Sequence, residues 1–128
     1  MKRIAILQSN YIPWKGYFDL IAASDEFILY DEVQYTKNDW RNRNKIKTPR
    51  GVEWMTIPVK HHFGQRIDEA ITSNLIWQKS HWSILTQNYS KAPYFRSYAN
   101  QFKALYQGST DMSLSHINRL FIEEICGM

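Results

Sequence analysis

The chain has 128 residues, of which 44% are hydrophobic and 15% aromatic, a size and composition that suit a folded core and exclude an intrinsically disordered chain. Its net charge of +4 is compatible with binding phosphates, nucleic acid or an acidic surface, and does not choose among them. A single cysteine, Cys126, excludes an internal disulfide.

The first predicted elements are a strand, a helix and a second strand. Residues 3–8 form an apolar run typical of a buried strand. The run is too short for a signal peptide or a membrane span, so we expect a cytoplasmic protein. Pro13 suits a helix start, and residues 27–30 predict a second buried strand. One helix face is indicated by Trp14, Tyr17, Phe18 and Ile21. This order predicts a βαβ unit with parallel strands.

A basic segment follows, with six Lys or Arg residues and one acid between residues 37 and 50. Extended segments on both sides of a Pro/Gly turn at residues 48–51 predict a β-hairpin. Alternation along a strand would place three cations on one face, namely Arg41, Arg43 and Lys45. A further short strand is predicted at residues 65–71.

The remainder is predicted to be helical, because apolar residues recur at helical spacing in three stretches, where they are expected to pack. They are Trp77, His81, Ile84 and Leu85, then Tyr98, Phe102, Leu105 and Tyr106, then Leu114, Ile117, Leu120, Phe121 and Ile125. Asp111 or Ser113 is the expected cap of the last helix.

The fold class is therefore α/β: a short parallel βαβ unit with an appended β-hairpin, followed by a mainly helical C-terminal half. We expect residues 1–128 to form a single domain. Its α/β part with the basic hairpin would cover residues 1–72, and its helical part residues 73–128.

The loop after the first strand is the first candidate site, since ligands of α/β folds bind at the carboxyl ends of strands. Alternatively, Pro13 starts a helix and the aromatic residues only pack. The substrate-binding candidates in and around this loop are Gln8, Asn10, Tyr11, Trp14, Lys15 and Tyr17.

Asp31 and Gln34 follow the second strand and are expected at the same edge of the sheet. A carboxylate there could act as a general base or bind a sugar hydroxyl. It could equally cap the next turn. Asp31 is the first candidate for the catalytic base, and Gln34 is a substrate-binding candidate.

The basic hairpin is the third candidate site, because arginine binds phosphate or carboxylate groups in bidentate fashion. The alternative is an exposed strand that is kept soluble by its charges. The density of Arg and Asn beside Trp favours a site. Its substrate-binding candidates are Trp40, Arg41, Asn42, Arg43 and Trp54.

The four histidines do not predict a metal site. His61 and His62 are adjacent, so in a strand they would point to opposite faces, and His81 and His116 are isolated. No spacing resembles a zinc site, and we assign no metal and no cofactor. His81 lies on an apolar helix face, which favours a packed, hydrogen-bonded histidine over a catalytic one, and it is the second candidate base.

Together these segments resemble the WbqC-like protein family over essentially the whole chain. The matching residues are Gln8, Asn10 to Ile21, Ser24-Asp25, Asp31 to Tyr35, Trp40 to Asn44, Gly51, Trp54, Ile57 to Val59, and more weakly Tyr89 to Phe95 and Asn118. One position departs, because Ser9 stands where the family often has proline. Family members usually run longer, so we expect this chain to be the N-terminal part of such a protein, truncated at its C-terminus.

The resemblance implies a role in bacterial O-antigen or lipopolysaccharide biosynthesis, with transfer of an acyl or aminoacyl group to an amino sugar or nucleotide-sugar as one activity. The expected partner is a nucleotide-sugar or a carrier-linked anionic small molecule. The first alternative is a non-catalytic binding module of the same pathway. The second is nucleic-acid binding through the basic hairpin, which the short basic patch disfavours. Neither the donor nor the oligomeric state follows from the sequence.

Overall fold

Strands dominate the first half of the fold and helices the second. The computed structural model describes residues 1–60 and 62–128, so His61 and its predicted role lie outside the described residues. In chain order the elements are β1 (Ile4–Leu7), α1 (Lys15–Ala23), β2 (Glu26–Leu29), β3 (Arg43–Thr48), β4 (Gly51–Thr56), β5 (Val59–Lys60), a short 3-10 helix (Ile67–Glu69), β6 (Ile71–Thr72), α2 (Ile76–Tyr89), α3 (Phe95–Gly108) and α4 (Leu114–Cys126). This is the mixed α/β class that the sequence predicts.

The βαβ unit is confirmed, but the prediction that its strands are buried is wrong. Alternate residues of both strands are exposed, with Ile4 at 54% and Ile6 at 55%, because one face of this two-stranded sheet is left uncovered. Strands β1 and β2 pair in parallel, with Ile6 opposite Ile28, and α1 connects them. Trp14 occupies the N-cap position of α1, so Pro13 lies just before the helix rather than in its first turn. The carboxyl ends of both strands therefore face the loop that leads into α1, where the sequence places the first candidate site.

The basic hairpin is also confirmed, with an antiparallel pairing that sets Lys45 opposite Trp54. Gly51 closes its turn at φ +111, a conformation that glycine adopts without steric cost. Strand β3 begins only at Arg43, so the alternation that would put Arg41 on the same face as Arg43 does not extend that far.

The strand predicted at residues 65–71 is wrong over most of its length. Residues 67–69 form the 3-10 helix, and only Ile71–Thr72 pairs as a strand, with β5. Local bonds explain the difference, because the Arg66 amide donates to Glu69 Oε1 at 3.2 Å and the Arg66 guanidinium to Asp68 Oδ1 at 3.0 Å. Such local contacts compete with an extended ladder.

The C-terminal helices form the core as predicted. Helices α2 and α3 pack together, and α4 packs on the 3-10 helix. Ser113 caps α4 by accepting the His116 amide at 3.4 Å. No helix in the described part of the chain is long and apolar enough to cross a membrane. The buried core includes Tyr11, Tyr35, Met55, Ile57, Ile67, Trp77, Tyr106, Leu114, Ile117 and Phe121.

Candidate functional site

The segment from Ser9 to Trp14, here the 9–14 loop, leaves β1 with a regular alternation. Its odd-numbered residues are buried, whereas its even-numbered residues are half-buried or exposed. One side of the loop is therefore anchored in the protein, and the other side lines surface pockets.

Ile12, in the middle of this loop, has a φ of 45, in the left-handed region that a β-branched residue rarely adopts. The Asn44 amide holds the strained backbone, because Asn44 Nδ2 donates to the carbonyl oxygens of Tyr11, at 3.2 Å, and of Ile12. Strain of this kind persists only where surrounding contacts fix it, and it is concentrated at functional sites.

A buried polar cluster anchors the first residue of the loop. The Asp31 carboxylate accepts the Ser9 amide at 2.8 Å, the Ser9 hydroxyl at 2.6 Å and the Ser115 hydroxyl at 2.5 Å. Asn118 Nδ2 then donates to Ser9 Oγ at 3.0 Å and to the Arg41 carbonyl at 2.9 Å. These bonds connect β1, β2, α4 and the start of the hairpin, so Asp31 fixes the relative positions of the elements around the loop.

A second buried network anchors Tyr11. His81 Nε2 lies 2.9 Å from the Thr56 carbonyl, which can only accept, so this nitrogen holds the proton. Burial lowers the pKa of His81 to about 4, against a partial opposing effect of the Thr56 bond, so the ring is neutral. Its Nδ1 therefore accepts the Tyr11 hydroxyl at 2.9 Å, and Tyr11 in turn accepts a short bond from Tyr106.

The tyrosines of this network have raised pKa values, mainly because burial disfavours their anions. Both ring nitrogens of His81 are engaged and the side chain is 4% exposed. His81 is therefore a packed, hydrogen-bonded histidine, and a substrate could contact its ring only after a rearrangement.

The even-numbered residues Asn10 and Trp14, together with the edge of the buried Pro13, line an open pocket of about 330 Å³, here the tryptophan pocket. Its walls are Asn10, Pro13, Trp14, Trp40 and Asn44. Trp14 is 72% exposed and Trp40 is 44% exposed, although both are large apolar side chains. A pocket with aromatic walls and a few amides is a common form of small-molecule site.

Gly16 shapes this pocket through close contact with Trp14. A Cβ atom on Gly16 would collide with the six-membered ring of Trp14, so the indole folds back over the bare backbone of the first turn of α1. The absence of a side chain at Gly16 therefore determines where Trp14 lies.

Arg41 does not line the tryptophan pocket itself but bonds to Asn10, one of its walls. Its Nη1 donates to Asn10 Oδ1, its Nη2 lies 3.8 Å from Asp39 Oδ2, and its side chain is 16% exposed. The described residues offer no hydrogen-bond partner to its buried Nε. The pKa of Asp39 is lowered although partial burial opposes this, because Trp40, Thr36 and the nearby arginines stabilise the anion.

Arg43 is placed differently from Arg41. Its guanidinium lies 3.8 Å from the Trp54 ring centroid, and its Nη2 donates to the Asn38 carbonyl at 2.6 Å. Lys45 also lies over Trp54, at 4.9 Å, and Trp40 contacts the same indole with ring centroids 5.2 Å apart. Cations thus cover a face of Trp54, so a nucleic-acid base could stack on that face only by displacing them.

Three other predicted residues lie in the interior or support it. The Tyr17 hydroxyl donates to the Gln8 carbonyl at 2.9 Å, and burial raises the pKa of Tyr17. Asn42 is buried, and its Nδ2 donates to the Ile57 carbonyl at 2.8 Å. These contacts describe roles in holding the loop and the hairpin.

Two further predicted residues are on the surface. Lys15 pairs with Asp19 at 2.7 Å on the exposed side of α1. Gln34 is exposed and forms a β-bridge with Arg66. The structure therefore brings Asn10, Trp14 and Trp40 together in the lining of the tryptophan pocket, with Arg41 bonded to Asn10 behind it, and leaves Lys15 and Gln34 outside. Among residues 1–60 and 62–128, no group of three or more His, Cys, Asp and Glu side chains could hold a metal ion.

Sequence reasoning missed residues that define the site by their contacts. Glycine in the first turn of a helix and asparagine inside a strand are locally unfavourable, so Gly16 and Asn44 were detectable as exceptions. Ser115 bonds to Asp31 across 84 residues of the chain, and Asn118 bonds to Ser9 across 109 and to Arg41 across 77. No local signal reports such long-range bonds.

Comparison with known proteins agrees with the resemblance seen in the sequence. Residues 8–128 match the WbqC-like protein family. The chain belongs to this family. It is also 51% identical over 128 residues to the uncharacterized protein Rv1507c of Mycobacterium tuberculosis, covering 98% of this chain and 55% of that protein. The chain thus spans about half the length of this curated relative, and no solved structure gives a significant match.

The residues shared with the WbqC-like family converge in space. The Asn10 to Trp14 segment and the Trp40 to Asn44 segment together line the tryptophan pocket. They are separated in sequence by α1 and β2. Direct bonds make them neighbours, because the Tyr11 amide donates to the Trp40 carbonyl at 3.2 Å and Asn44 Nδ2 donates to the Tyr11 carbonyl at 3.2 Å.

Proposed function

We propose that this WbqC-like chain provides the sugar-binding part of a transferase of bacterial surface-polysaccharide assembly, which moves an acyl or aminoacyl group to an amino sugar or nucleotide-sugar. The family's association with such pathways supplies the pathway. The tryptophan pocket supplies the site.

The observation on which the proposal rests is the pair of exposed indoles beside an amide and an arginine. Trp14 and Trp40 offer apolar faces to the apolar side of a sugar ring. Asn10 uses its carbonyl oxygen on Arg41, which leaves its NH2 group to donate to a sugar hydroxyl.

Arg41 is the residue that would bind a phosphate of the nucleotide-sugar. It bonds to Asn10 in the pocket wall, and its buried Nε has no partner among the described residues. The Arg41 side chain is 16% exposed, so a phosphate oxygen would meet the exposed part of the guanidinium rather than the buried Nε. Arg43 and Lys45, which lie over Trp54, would hold the hairpin side of the pocket and add positive potential.

In the proposed reaction, the amine nitrogen of the sugar attacks the carbonyl carbon of an acyl thioester or ester. An amide C–N bond forms, the C–S or C–O bond of the donor breaks, and the amine proton passes through a base to the departing thiolate or alkoxide. Positioning and charge neutralisation would supply most of the rate. Asp31 is the proposed base and His81 the second candidate. Both side chains are buried and hydrogen-bonded, so either would act only after a rearrangement that exposes it to the substrate.

Calorimetric titration with UDP-N-acetylglucosamine, UDP and free N-acetylglucosamine tests the binding site. The N-acetyl compounds correspond to products of acyl transfer to the amino sugars, so they bind without reacting. Trp14→Ala should weaken UDP-N-acetylglucosamine binding about tenfold through lost stacking. Arg41→Ala should weaken UDP and UDP-N-acetylglucosamine by roughly 10- to 100-fold and leave free N-acetylglucosamine unchanged, because only phosphate contacts are lost.

Arg50→Ala is the matched control, because Arg50 lies on the same hairpin and pairs only locally with Glu53 at 3.0 Å. Its affinities should equal those of the unmodified chain. Equal losses of affinity in Arg41→Ala and Arg50→Ala would mean that the lower net charge of the protein causes the effect, and would reject a direct contact between Arg41 and phosphate.

A binding module without catalysis is the second candidate function. It is favoured by one observation: the residues that line the tryptophan pocket are two amides, two indoles and a proline, with no titratable group among them. Amide formation by the purified chain from an acyl thioester and an amino sugar would reject this alternative. Binding without turnover, also after addition of the rest of a longer relative, would favour it.

A further inference from the structure

A second concave site lies on the far side of Ile12, between α2 and α3. This helix groove has a volume of about 320 Å³ and aliphatic or aromatic walls. Its floor includes the stacked rings of Trp82 and Phe95, whose centroids are 6.1 Å apart with planes at 16°. Tyr94 at its rim is 74% exposed, so the apolar surface is open to a ligand.

The helices that form this groove have an unusual charge distribution. Between residues 70 and 110 the chain has no Asp or Glu, and its basic residues there are Lys79, Lys91, Arg96 and Lys103. Lys91 and Arg96 are exposed and directly adjoin residues of the groove wall, Ala92 and Phe95. An apolar cleft whose wall segment also contains exposed cations complements a ligand with an apolar tail and an anionic head.

The strained residue Ile12 connects this groove with the tryptophan pocket. Ile12 lines the groove, while its neighbours Asn10, Pro13 and Trp14 line the pocket. The Asn44 amide fixes the backbone of Ile12 in the left-handed region, so the same bonds define a wall of each site. Two substrates bound in these sites would be separated by little more than the 9–14 loop.

We propose that the helix groove binds the acyl chain of an anionic phosphopantetheine thioester, with the phosphates of the donor at Lys91 and Arg96. This inference rests on the proposed function and deepens it, since it identifies the donor as an acyl thioester rather than an aminoacyl ester. The groove is concave and has aliphatic and aromatic walls, which favours the insertion of a single apolar chain.

The size of the groove limits the acyl chain. If a methylene group occupies about the 30 Å³ that a water molecule has in the liquid, the volume accommodates roughly ten carbons. Affinity should therefore rise with chain length up to about that point and then level off, because further carbons would remain in water.

The first experiment is a calorimetric series on the unmodified chain with coenzyme A and its butyryl, hexanoyl, octanoyl, decanoyl and palmitoyl thioesters. Each added pair of carbons should tighten binding by roughly tenfold up to decanoyl. Coenzyme A itself should bind at least 100-fold more weakly than decanoyl-CoA. Equal affinity for all members of the series would overturn the proposal.

A matched pair of variants locates the acyl chain. Ala99 lines the groove and Ala104 lies on another side of α3, where it is exposed. Ala99→Phe should fill the groove and weaken decanoyl-CoA binding at least tenfold, whereas Ala104→Phe should change it less than twofold. Thermal unfolding of both variants shows that they fold, and equal affinities in both would overturn the assignment to this groove.

Two further experiments test whether the negative charge of the donor contributes to binding and whether the groove binds a lipid membrane instead. The uncharged decanoyl thioester of N-acetylcysteamine should bind about tenfold more weakly than decanoyl-CoA, and Lys91→Ala with Arg96→Ala should remove that difference. Vesicles of phosphatidylcholine and phosphatidylglycerol should not sediment the protein. Sedimentation that Ala99→Phe leaves unchanged, together with no chain-length effect, would assign the surface to lipid instead.

The same protein titrated with UDP-N-acetylglucosamine keeps the two proposals distinguishable. Trp14-dependent sugar-nucleotide binding without a chain-length effect would reject the groove assignment alone. A chain-length effect that Ala99→Phe removes, without any sugar-nucleotide binding, would support the groove and reject the proposed function of the tryptophan pocket.

Discussion

The two sides of the 9–14 loop differ in what they do for the molecule. The odd-numbered side is locked into the interior: Ser9 and Tyr11 are 0% exposed and bond to Asp31 and His81. The side chains of the even-numbered residues line surface pockets: Asn10 and Trp14 line the tryptophan pocket, and Ile12 lines the helix groove. A single extended segment thus holds itself in place with one set of side chains and presents the other to ligands, as alternation in extended backbone allows.

This division shows why the anchors and the pocket should respond differently to mutation. Changes on the anchored side remove buried hydrogen bonds and should lower the free energy of unfolding. Changes on the pocket side should alter ligand binding and leave the free energy of unfolding nearly unchanged. The predictions below begin with the largest expected effect.

Asp31→Ala should produce the largest loss of stability, because it leaves the Ser9 amide and the hydroxyls of Ser9 and Ser115 without their buried acceptor. We expect a loss of about 2–4 kcal/mol and a fall in Tm of about 10 °C. Thermal unfolding followed by circular dichroism measures it. Glu123→Ala, which removes only an exposed pair with Arg119, is the control and should shift Tm by about 2 °C or less. Similar shifts in both variants would contradict the anchoring role.

Acid should weaken the Tyr11 anchor through His81. Its pKa in the folded protein is about 4, below the ordinary value of 6.5, so the unfolded chain takes up the proton first. The free energy of unfolding should be at its full value above pH 6.5 and fall by about 3 kcal/mol as the pH is lowered to 4. Urea unfolding at several pH values measures this.

His81→Gln is the control for the acid effect, because glutamine has no titrating group and all other residues that titrate are retained. The difference in stability between the two proteins should shrink as the pH falls from 6.5 to 4. Parallel curves over that range would mean that His81 is not the group responsible.

Gly16→Ala should distinguish most clearly between the stability contributed by the anchored side of the 9–14 loop and the ligand binding contributed by its pocket side. The added Cβ displaces the exposed Trp14 indole and needs no change in the core. Alanine in a helix is more favourable than glycine by about 0.5–1 kcal/mol, so stability should hold or rise slightly. Affinity for UDP-N-acetylglucosamine should nevertheless fall about tenfold, as for Trp14→Ala. A loss of both stability and affinity would mean that Trp14 stabilises the fold, which would contradict its proposed role as a ligand-binding wall of the pocket.

Lys15→Ala should have the smallest effect, although the sequence suggests Lys15 as a substrate-binding residue. It pairs with Asp19 on the exposed side of α1 and does not line the tryptophan pocket. Tm should change by about 2 °C or less, and calorimetry should show unchanged affinity. A tenfold loss of UDP-N-acetylglucosamine binding would return Lys15 to the site and extend the pocket along α1.

Local patterns were sufficient for most of the fold. Apolar residues at helical spacing placed α2, α3 and α4, and the Pro/Gly turn placed the hairpin, because these signals depend on neighbours in sequence. The strand predicted at residues 65–71 failed because the Arg66 amide bonds to Glu69 Oε1 and the Arg66 guanidinium bonds to the Asp68 carboxylate. Hydrophobic periodicity does not report such local bonds.

The candidate site was predictable in part. Strand-end placement and the density of Arg, Asn and Trp selected the two segments that meet at the tryptophan pocket. The same reasoning could not separate Tyr11, which is buried, from Trp14, which is exposed, since both are aromatic residues of one loop.

The sequence by itself determined the family, the order of elements and the basic character of the hairpin and of α2 and α3, since all of these depend on residue identity and spacing. Only the tertiary structure decided which polar residues are anchors and which are exposed to ligands. Asp31, Ser115 and Asn118 meet through contacts between distant segments, and the direction of each side chain in the 9–14 loop follows from those contacts. Burial is a property of the packed chain as a whole, which is why a local pattern does not contain it.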